Sequence, residues 1–282
     1  MAANYPHIGD RINDPAKLVC NINAVRQAAE SMGKEVLDLP GWILYSSYKT
    51  LVRGDYYFLG VNPAGSGEDH PKTVQNSLDG LIHFTGEADK NQYLDVSWYK
   101  DPNDERRRPL QKRVDYLFKQ LNVNPNDVCA SNLIFASSKK GKDSGGSRRA
   151  EICWRVHEAI LEIVQPRVII THGSMPFDFV NDKLRGISLQ EPQKCNHANW
   201  TWRCSRLGET GQKLVGLPHL SIYAIDTPSR AVTVLEIVKQ IQWIDLVRLI
   251  RNRKATCQSA QHRWKHCKSL WNYCAEFRRG DL

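Results

Sequence analysis

A polar, glycine-containing loop follows the first apolar segment of this chain. Residues 56–61 carry five apolar side chains in six positions, as a buried strand does, and residues 62–67 begin with Asn62-Pro63 and contain two glycines. Glycine lets a ligand approach the backbone closely. A dinucleotide-binding loop would place its third glycine at His70, and a P-loop would place a lysine at Ser66, so neither phosphate-binding pattern fits. What remains is an asparagine at the carboxyl end of a strand.

Two further polar residues lie within or just after an apolar run of the sequence. Asn132 interrupts the apolar run 128–136, and His219 follows the apolar run 213–217. A side-chain amide has one acceptor and two donors, enough to read the edge of a pyrimidine, and a histidine at a strand end is a natural proton donor. Asn132 has an alternative interpretation as a buried residue that ties two strands together, because buried polar groups are paired in any case.

Strands and helices alternate along the chain and would position these residues. Hydrophobic periodicity predicts strands at 56–61, 128–136, 167–173, 200–207 and 213–217, and helices at 15–39, from 109, at 152–163, at 175–184 and from 227. This order predicts an α/β fold with a mostly parallel sheet covered on both faces, and such sheets bind ligands outside the carboxyl ends of their strands. We therefore expect Asn62, Asn132 and His219 to converge on one cleft, although the strand order cannot be read from the sequence.

Two connections have compositions that bear on function. Residues 71–108 show little periodicity and many charges, and a connection this long inside a domain is usually functional, so we expect it to wall a pocket. Residues 137–149 form a Ser/Gly/Lys/Arg segment that either faces phosphates or is a solvated surface loop. Its candidate DNA contacts are Lys139, Lys140, Arg148 and Arg149.

The positive charge is concentrated near the carboxyl terminus. The net charge is +9, and residues 248–279 contain nine Lys or Arg against the single acid Glu276, interleaved with two Trp, one Tyr and one Phe. Basic residues among aromatics suit phosphate contact and stacking on bases, and a solvated helical hairpin is the alternative. We predict a domain at 1–250 and a DNA-contacting tail at 251–282, with contacts from Arg251, Arg253 and Lys254.

Composition argues against several other classes of protein. No run of about 18 apolar residues is present, and the first residues lack the order of a signal peptide, so we expect a cytoplasmic protein that does not enter a membrane. Eight cysteines without a CxxC pair favour reduced thiols over a zinc ribbon or a disulfide framework. The cysteines and histidines of the tail match no common metal spacing, so we expect a monomer without metal or cofactor.

Four of these motifs, in this order, resemble the uracil-DNA glycosylase superfamily. They are Gly60-Val61-Asn62-Pro63 after a strand, Asn132 in a second strand, Pro-x-Val-Ile-Ile-x-x-Gly at 166–173, and Pro-His-Leu-Ser at 218–221. The resemblance covers about Gly41 to Leu249, and Gly-x-Asn-Pro is similar to the first motif of the mismatch-specific and single-strand-selective branches. It implies a three-layer αβα fold and a DNA glycosylase, which flips a nucleotide out of DNA and hydrolyses its N-glycosidic bond to leave an abasic site.

The resemblance also implies roles for individual residues. Asn62 would hold the attacking water, with Glu68 or Asp69 as auxiliary groups, and Asn132 would read the base. His219 would donate to the departing base, with Ser221 on the DNA and Leu220 or Ile222 filling the gap that the flipped base leaves. No lysine is placed to form a Schiff base, which implies a monofunctional enzyme.

The sequence departs from the family at the histidine motif. The family has His-Pro-Ser-Pro, whereas here His219 precedes Leu-Ser-Ile-Tyr, which can also be aligned with the Leu-Ser-x-Tyr that follows the family motif. That alignment would move the family histidine away from His219. His70 is the rival donor, and we interpret His172 as a satisfied histidine at a strand end.

A second departure concerns the substrate. Uracil-specific members carry a tyrosine after the Asp-Pro pair, and its ring closes one side of the base pocket. Here the small residues Ala64-Gly65, close to Gly60, stand at that place and leave that side of the pocket open. The space suits a bulky modified pyrimidine, such as the glucosylated hydroxymethylcytosine of some phages, or a mismatched uracil or thymine. The alternatives to a glycosylase are a non-catalytic DNA-binding protein with the same fold and a hydrolase of free nucleosides.

Overall fold

The computed structural model describes residues 14–65, 72–84, 86–99, 107–138, 145–197, 199–208, 211–231 and 233–241. The chain divides into two compact units, Met1–Ile237 and Val238–Leu282. Of the second unit only residues 238–241 are described, and they are helical. The predicted tail, 251–282, lies outside the described residues and stays a prediction.

A seven-stranded sheet forms the centre of the first unit. The strands are β1 (Tyr56–Gly60), β2 (Cys129–Asn132), β3 (Val168–His172), β4 (Gly186–Ser188), β5 (Gln193–Lys194), β6 (Thr201–Leu207) and β7 (Lys213–Leu217). Their order is β2-β1-β3-β7-β6-β4, with β5 paired to β6. The first four strands of this order are parallel, and β6 pairs antiparallel with β7, β4 and β5. The predicted mostly parallel α/β sheet is confirmed.

Six helices accompany these strands in the described part of the first unit, up to residue 231. They are α1 (Pro15–Glu30), α2 (Lys34–Leu37), α3 (Val74–His83), α4 (Pro109–Gln120), α5 (Gly146–Val164) and α6 (Ser174–Lys183). Short 3₁₀ turns occupy Tyr48–Thr50, Gly86–Asp89, Pro125–Asp127 and Pro228–Arg230. Residues 233–237 are helical as well.

Alternate residues of β1 divide the core into two layers. Tyr57 and Leu59 join a buried hydrophobic cluster, to which α1 and α5 contribute. Phe58 points to the opposite face, where its ring meets Phe118 of α4 edge-on with centroids 5.4 Å apart. Helices therefore cover both faces of the sheet, which gives the three-layer αβα arrangement.

Local sequence signals explain the start of α1. The Asp14 side chain accepts a hydrogen bond from the Lys17 N–H, and Pro15 occupies the first turn, where its missing N–H costs nothing. The predicted stripe Leu18, Ile22, Val25 and Ala29 is buried. The helix ends at Glu30 rather than continuing to residue 39, because Gly33 has a φ of 69° and starts α2 in a new direction.

Helix α3 lies in the connection for which the sequence predicts little periodicity. Thr73 and Asn76 form a capping box, and Val74, Leu78 and Leu81 are buried on one side. The stripe is short and surrounded by polar residues, so the prediction of an irregular connection was wrong for this part.

Smaller corrections concern the ends of elements. The predicted strand 128–136 is regular only over Cys129–Asn132, although the N–H groups of Leu133 and Ile134 still bond to the carbonyls of Gly60 and Val61. The predicted strand at 200–207 is confirmed, but its partners β4 and β5 were not predicted. The helix expected from Thr227 begins with a 3₁₀ turn.

Candidate active site at the carboxyl edge of the sheet

Three parallel strands end side by side and bring their last residues into one row. Gly60 of β1 is paired with Asn132 of β2, and Leu59 is paired with Thr171, which places His172 beside Gly60 on the other side. A Cβ at Gly60 would overlap Asn132 Oδ1 and come within 2.8 Å of His172 Nε2. The two polar side chains thus converge over a residue that must be glycine.

A fourth segment, the loop after β7, reaches the same place. The rings of His172 and His219 meet edge to face with centroids 5.0 Å apart. A Cβ at Gly173 would lie 3.2 Å from His219 Cδ2 and 2.8 Å from Val61 Cγ2. We call Gly60, Asn132, His172 and His219 the carboxyl-edge cluster. Of the three residues predicted to converge, Asn132 and His219 both lie near His172.

Hydrogen bonds fix the tautomer of His219. The Ser221 N–H donates to Nδ1 at 3.3 Å, and Ser221 Oγ lies 2.7 Å from the same atom. Because a backbone N–H can only donate, Nδ1 is unprotonated, and the proton of the neutral ring is on Nε2. Burial lowers the pKa of His219, which favours this neutral form. His219 is therefore a neutral N–H donor.

The loop that carries His219 is attached to α4 by an arginine. Arg113 Nη1 donates to the Leu220 carbonyl at 2.6 Å, and its Nε lies 3.4 Å from Asp226 Oδ1 in an ion pair. The Arg113 side chain is 13% exposed, so these contacts are largely shielded from water. No pattern in the sequence points to this residue, because its role depends on which loop lies opposite α4.

Asn62 follows the cluster directly in the chain and is partly buried. Its Nδ2 donates to the Pro63 carbonyl at 2.7 Å and to Ser138 Oγ at 2.9 Å. Both N–H groups of the amide are thereby used, which turns Oδ1 into the group available to an incoming donor. Close pairing of Ala64 with Ser138 and a hydrogen bond from Gly65 N–H to the Ser138 carbonyl hold this corner in place. Gly65 has a φ of 118°, which favours glycine.

Asn132 lies close to a tyrosine from the segment before β1. Burial raises the pKa of the Tyr45 hydroxyl, and a hydrogen bond with Asn132 partly opposes that rise. The Oδ1 atom of Asn132 faces Gly60.

His172 differs from the prediction of a satisfied strand-end histidine. It is 2% exposed, and neither ring nitrogen has a hydrogen-bond partner within the described residues. Burial, and then the neighbouring His219, lowers its pKa well below the usual value. The ring stacks on Phe58 with centroids 5.1 Å apart and an interplanar angle of 23°. A neutral imidazole to which no described residue offers a hydrogen bond therefore stands in the middle of the cluster.

Aromatic residues from the long connection lie against the same face of the sheet. Tyr93 packs on Tyr45 and on Phe58 with centroids 5.5 and 5.8 Å apart, and the half-buried Trp98 meets Tyr45 at 6.2 Å. The connection 71–108 thus packs around Tyr45 and Phe58 through these rings. A separate cavity of about 510 Å³ lies between α3 and residues 42–46, and none of its lining residues belongs to the cluster.

The predicted DNA contacts have mixed outcomes. Leu220 is 1% exposed, so the prediction that it inserts into DNA was wrong; its side chain is part of the core. Ile222 is 67% exposed, and Ser221 is exposed beside it. Arg148 is exposed and pairs with Glu35 at 2.8 Å, and Arg149 packs over Gly145.

The remaining predicted site residues cannot be placed. They lie outside the described part of the chain and stay predictions: Glu68, Asp69, His70, Lys139, Lys140, Arg251, Arg253 and Lys254.

Potential metal ligands are dispersed over the described ranges. No group of three or more His, Cys, Asp or Glu side chains there is arranged to hold a metal ion. The five cysteines in those ranges are free, and four of them are buried. The described helices include none whose length and hydropathy would let it cross a bilayer.

The chain matches no known protein-family model. No curated protein matches it either. The geometry of the carboxyl-edge cluster is therefore the basis for a functional proposal.

Proposed function

We propose that this protein is a monofunctional DNA glycosylase that hydrolyses the N-glycosidic bond of a flipped-out pyrimidine and leaves an abasic site. The observation that carries the proposal is that a neutral histidine donor, His219, and an amide, Asn132, both lie near His172 at the carboxyl edge of the sheet. The resemblance of the Gly-x-Asn-Pro loop and the other three motifs to the uracil-DNA glycosylase superfamily supports the same activity.

His219 suits the leaving group of such a reaction. Cleavage of the glycosidic bond leaves negative charge on the departing base, and a preorganised N–H donor stabilises charge that develops in the transition state. The Ser221 N–H holds Nδ1 as the acceptor, so Nε2–H is the donor that a base carbonyl meets. Losing one such donor typically costs about 10²- to 10³-fold in kcat.

Asn62 suits the attacking water. Its N–H groups are bound to Pro63 and Ser138, so its Oδ1 accepts a hydrogen bond from water and orients it toward the sugar. An amide takes up no proton, whereas a general base contributes about 10²- to 10⁴-fold. We therefore expect a modest rate unless a carboxylate of the 66–70 loop assists.

The exposed side chain of Ile222 supports base flipping. It stands on the loop that carries His219, three residues further along the chain, and is 67% exposed. An apolar side chain inserted between base steps fills the space that a flipped base leaves. Of the two candidates for this role, Ile222 is therefore the one that we propose, since Leu220 is buried. The activity implies a DNA partner, with the protein acting as a monomer in the cytoplasm.

The proposal is tested with purified protein and oligonucleotides that carry uracil, a thymine mismatch or glucosylated hydroxymethylcytosine. Alkali cleaves the abasic sites, and the strand break is measured. We expect release from at least one substrate, with a loss of about 10²-fold or more in His219→Ala and a clear loss in Asn62→Ala. Matched controls are His83→Ala and Asn126→Ala, which change exposed residues outside the cluster and should leave the rate unchanged.

The other functions give different results in the same assay. Tight, salt-dependent binding of DNA without release of any base would identify a non-catalytic DNA-binding protein. Release of bases from free nucleosides but not from DNA would identify a nucleoside hydrolase. Base release that survives both Asn62→Ala and His219→Ala would show that this cluster is not the active site.

A further inference from the structure

The described part of the chain contains two fully buried histidines with opposite hydrogen-bonding states. His157 lies 2.8 Å from the Tyr57 hydroxyl through Nδ1 and 3.1 Å from the Leu133 carbonyl through Nε2, so both its nitrogens are satisfied. His172 is as well buried, yet neither nitrogen has a partner among the described residues. A buried polar group without a partner destabilises a fold, and such groups mark strained or functional positions. His157 is therefore a structural residue, whereas a ligand would supply the hydrogen bonds that His172 lacks among the described residues.

The atoms beside His172 indicate the kind of ligand. Asn132 presents its Oδ1, which can only accept a hydrogen bond, to Gly60. His172 Nε2 faces the same point, and the two atoms lie no more than about 5 Å apart, the sum of their separations from a Cβ position on Gly60. An amino group that donates two hydrogen bonds of about 2.9 Å bridges acceptors about 5 Å apart.

We propose that Asn132 Oδ1 and His172 Nε2 together accept the two N–H groups of an exocyclic amine, so that the base excised is of the cytosine type. This inference rests on the proposed glycosylase function and names its substrate class. The imidazole carries its proton on Nδ1 in this arrangement, and no described residue holds it in the other tautomer. Uracil and thymine place a carbonyl where cytosine has the amine, and that oxygen would face the Asn132 acceptor. Substituents at C5 of cytosine leave the amine in place, so modified cytosines belong to the same class.

Two neighbouring rings pack against the imidazole of His172 and hold it in position. Phe58 supports one face of the ring, and His219 lies edge-on to it at 5.0 Å. Both ring nitrogens are buried and have no partner among the described residues, so a base amine bound there would supply the hydrogen bond that Nε2 lacks.

The experiment compares His172→Phe with the wild type on oligonucleotides of one sequence that carry cytosine, hydroxymethylcytosine, glucosylated hydroxymethylcytosine or uracil. Phenylalanine keeps the stacking on Phe58 and removes both nitrogens. We expect the wild type to prefer the bases with an amine, and His172→Phe to lose about tenfold or more in kcat/KM on them with little change on uracil. His172→Gln, which restores an acceptor, should recover part of the loss.

The melting temperature distinguishes a residue that contacts the base from one that stabilises the fold. Because no described residue bonds to the ring nitrogens of His172, His172→Phe should melt at the same temperature as the wild type or higher. The matched control His157→Phe removes the hydrogen bonds that His157 makes with the Tyr57 hydroxyl and the Leu133 carbonyl, and should melt lower. An unchanged kcat/KM of His172→Phe on the cytosine series, or a wild type that prefers uracil, would overturn the inference while leaving glycosylase activity intact.

Failure of the glycosylase proposal gives a different result. If the wild type releases no base from any oligonucleotide, binding of free cytosine and free uracil is measured by the shift in melting temperature. Stabilisation by cytosine of the wild type but not of His172→Phe supports the reading pair without catalysis. Equal shifts for the two bases, or no shift, reject it.

Discussion

The protonation state of single histidines is the chemistry on which this site depends. Three histidines in the described part of the chain have a pKa lowered by burial: His157 to about 4, His172 well below its usual value and His219 in the same direction. All three are neutral at pH 7. For His219 this is also the form that the Ser221 N–H requires.

These pKa shifts predict a loss of stability in acid. In the unfolded chain a histidine takes up a proton near pH 6.5, whereas the folded protein keeps these rings neutral to lower pH. The free energy of unfolding should therefore be constant for these groups above about pH 6.5 and fall below it, with a slope of up to about 1.4 kcal/mol per pH unit for each histidine. For His157 this fall extends to about pH 4. Urea unfolding at several pH values measures this.

The control for that experiment is His172→Phe. One proton fewer binds to its unfolded state, so the slope should decrease by about 1.4 kcal/mol per pH unit. A slope equal to that of the wild type would contradict the neutral state of His172 in the folded protein.

A glycine defines the closest approach within the cluster. Gly60→Ala should lower the free energy of unfolding by several kcal/mol and abolish base release, because the new methyl group overlaps Asn132 Oδ1 and crowds His172 Nε2. Thermal unfolding and the alkali assay measure the two effects. In Gly60→Ala/Asn132→Gly the main overlap is removed, so part of the stability should return without activity. No recovery would indicate that the strain lies elsewhere.

Among the structural elements, the loop after β7 is held in place by Arg113 of helix α4. Arg113→Met should lower kcat by about tenfold with a smaller effect on KM, because His219 loses its fixed position while the base-reading residues stay in place. Its melting temperature should also fall, since the Leu220 carbonyl and Asp226 lose a partner. Lys119→Met, which removes an exposed ion pair with Asp115 on the same helix, is the control and should change neither quantity.

The elements themselves differ in how far sequence predicts them. The stripe of α1 and the buried strands β1, β3 and β7 follow from periodicity and were predicted within a few residues. Strands β4 and β5 are three and two residues long, too short for any periodic pattern to show. Asn62, Asn132 and His219 could be chosen because polar residues at strand ends are visible in a sequence. His172 and Arg113 could not, since their importance comes from strand order and from the groups that lie opposite them in the fold.

At the scale of the whole molecule, we expect the positive charge of the predicted tail, 251–282, to strengthen DNA binding. Arg251→Gln/Arg253→Gln/Lys254→Gln in the full chain should weaken DNA binding at all sequences alike. It should also reduce the slope of log K against log salt by about 0.9 for each phosphate that the tail no longer neutralises. Titration of labelled duplex at several salt concentrations measures this. Lys17→Gln, which changes an exposed residue of α1 outside the predicted DNA contacts, serves as a control for loss of charge elsewhere. An unchanged slope in the triple variant would place the DNA contacts outside the tail.

The order of the sheet puts β2, the strand that carries Asn132, at its outer margin. There the segment 41–45 pairs with it, with Leu44 opposite Ser131 and the Tyr45 N–H on the Ala130 carbonyl. That segment also supplies Tyr45, whose hydroxyl interacts with the Asn132 side chain. Tyr45 is 7% exposed and packs on Tyr93 and Trp98, so a change at Tyr45 would alter the surroundings of Asn132 together with this aromatic packing, without removing any group of the proposed catalytic machinery.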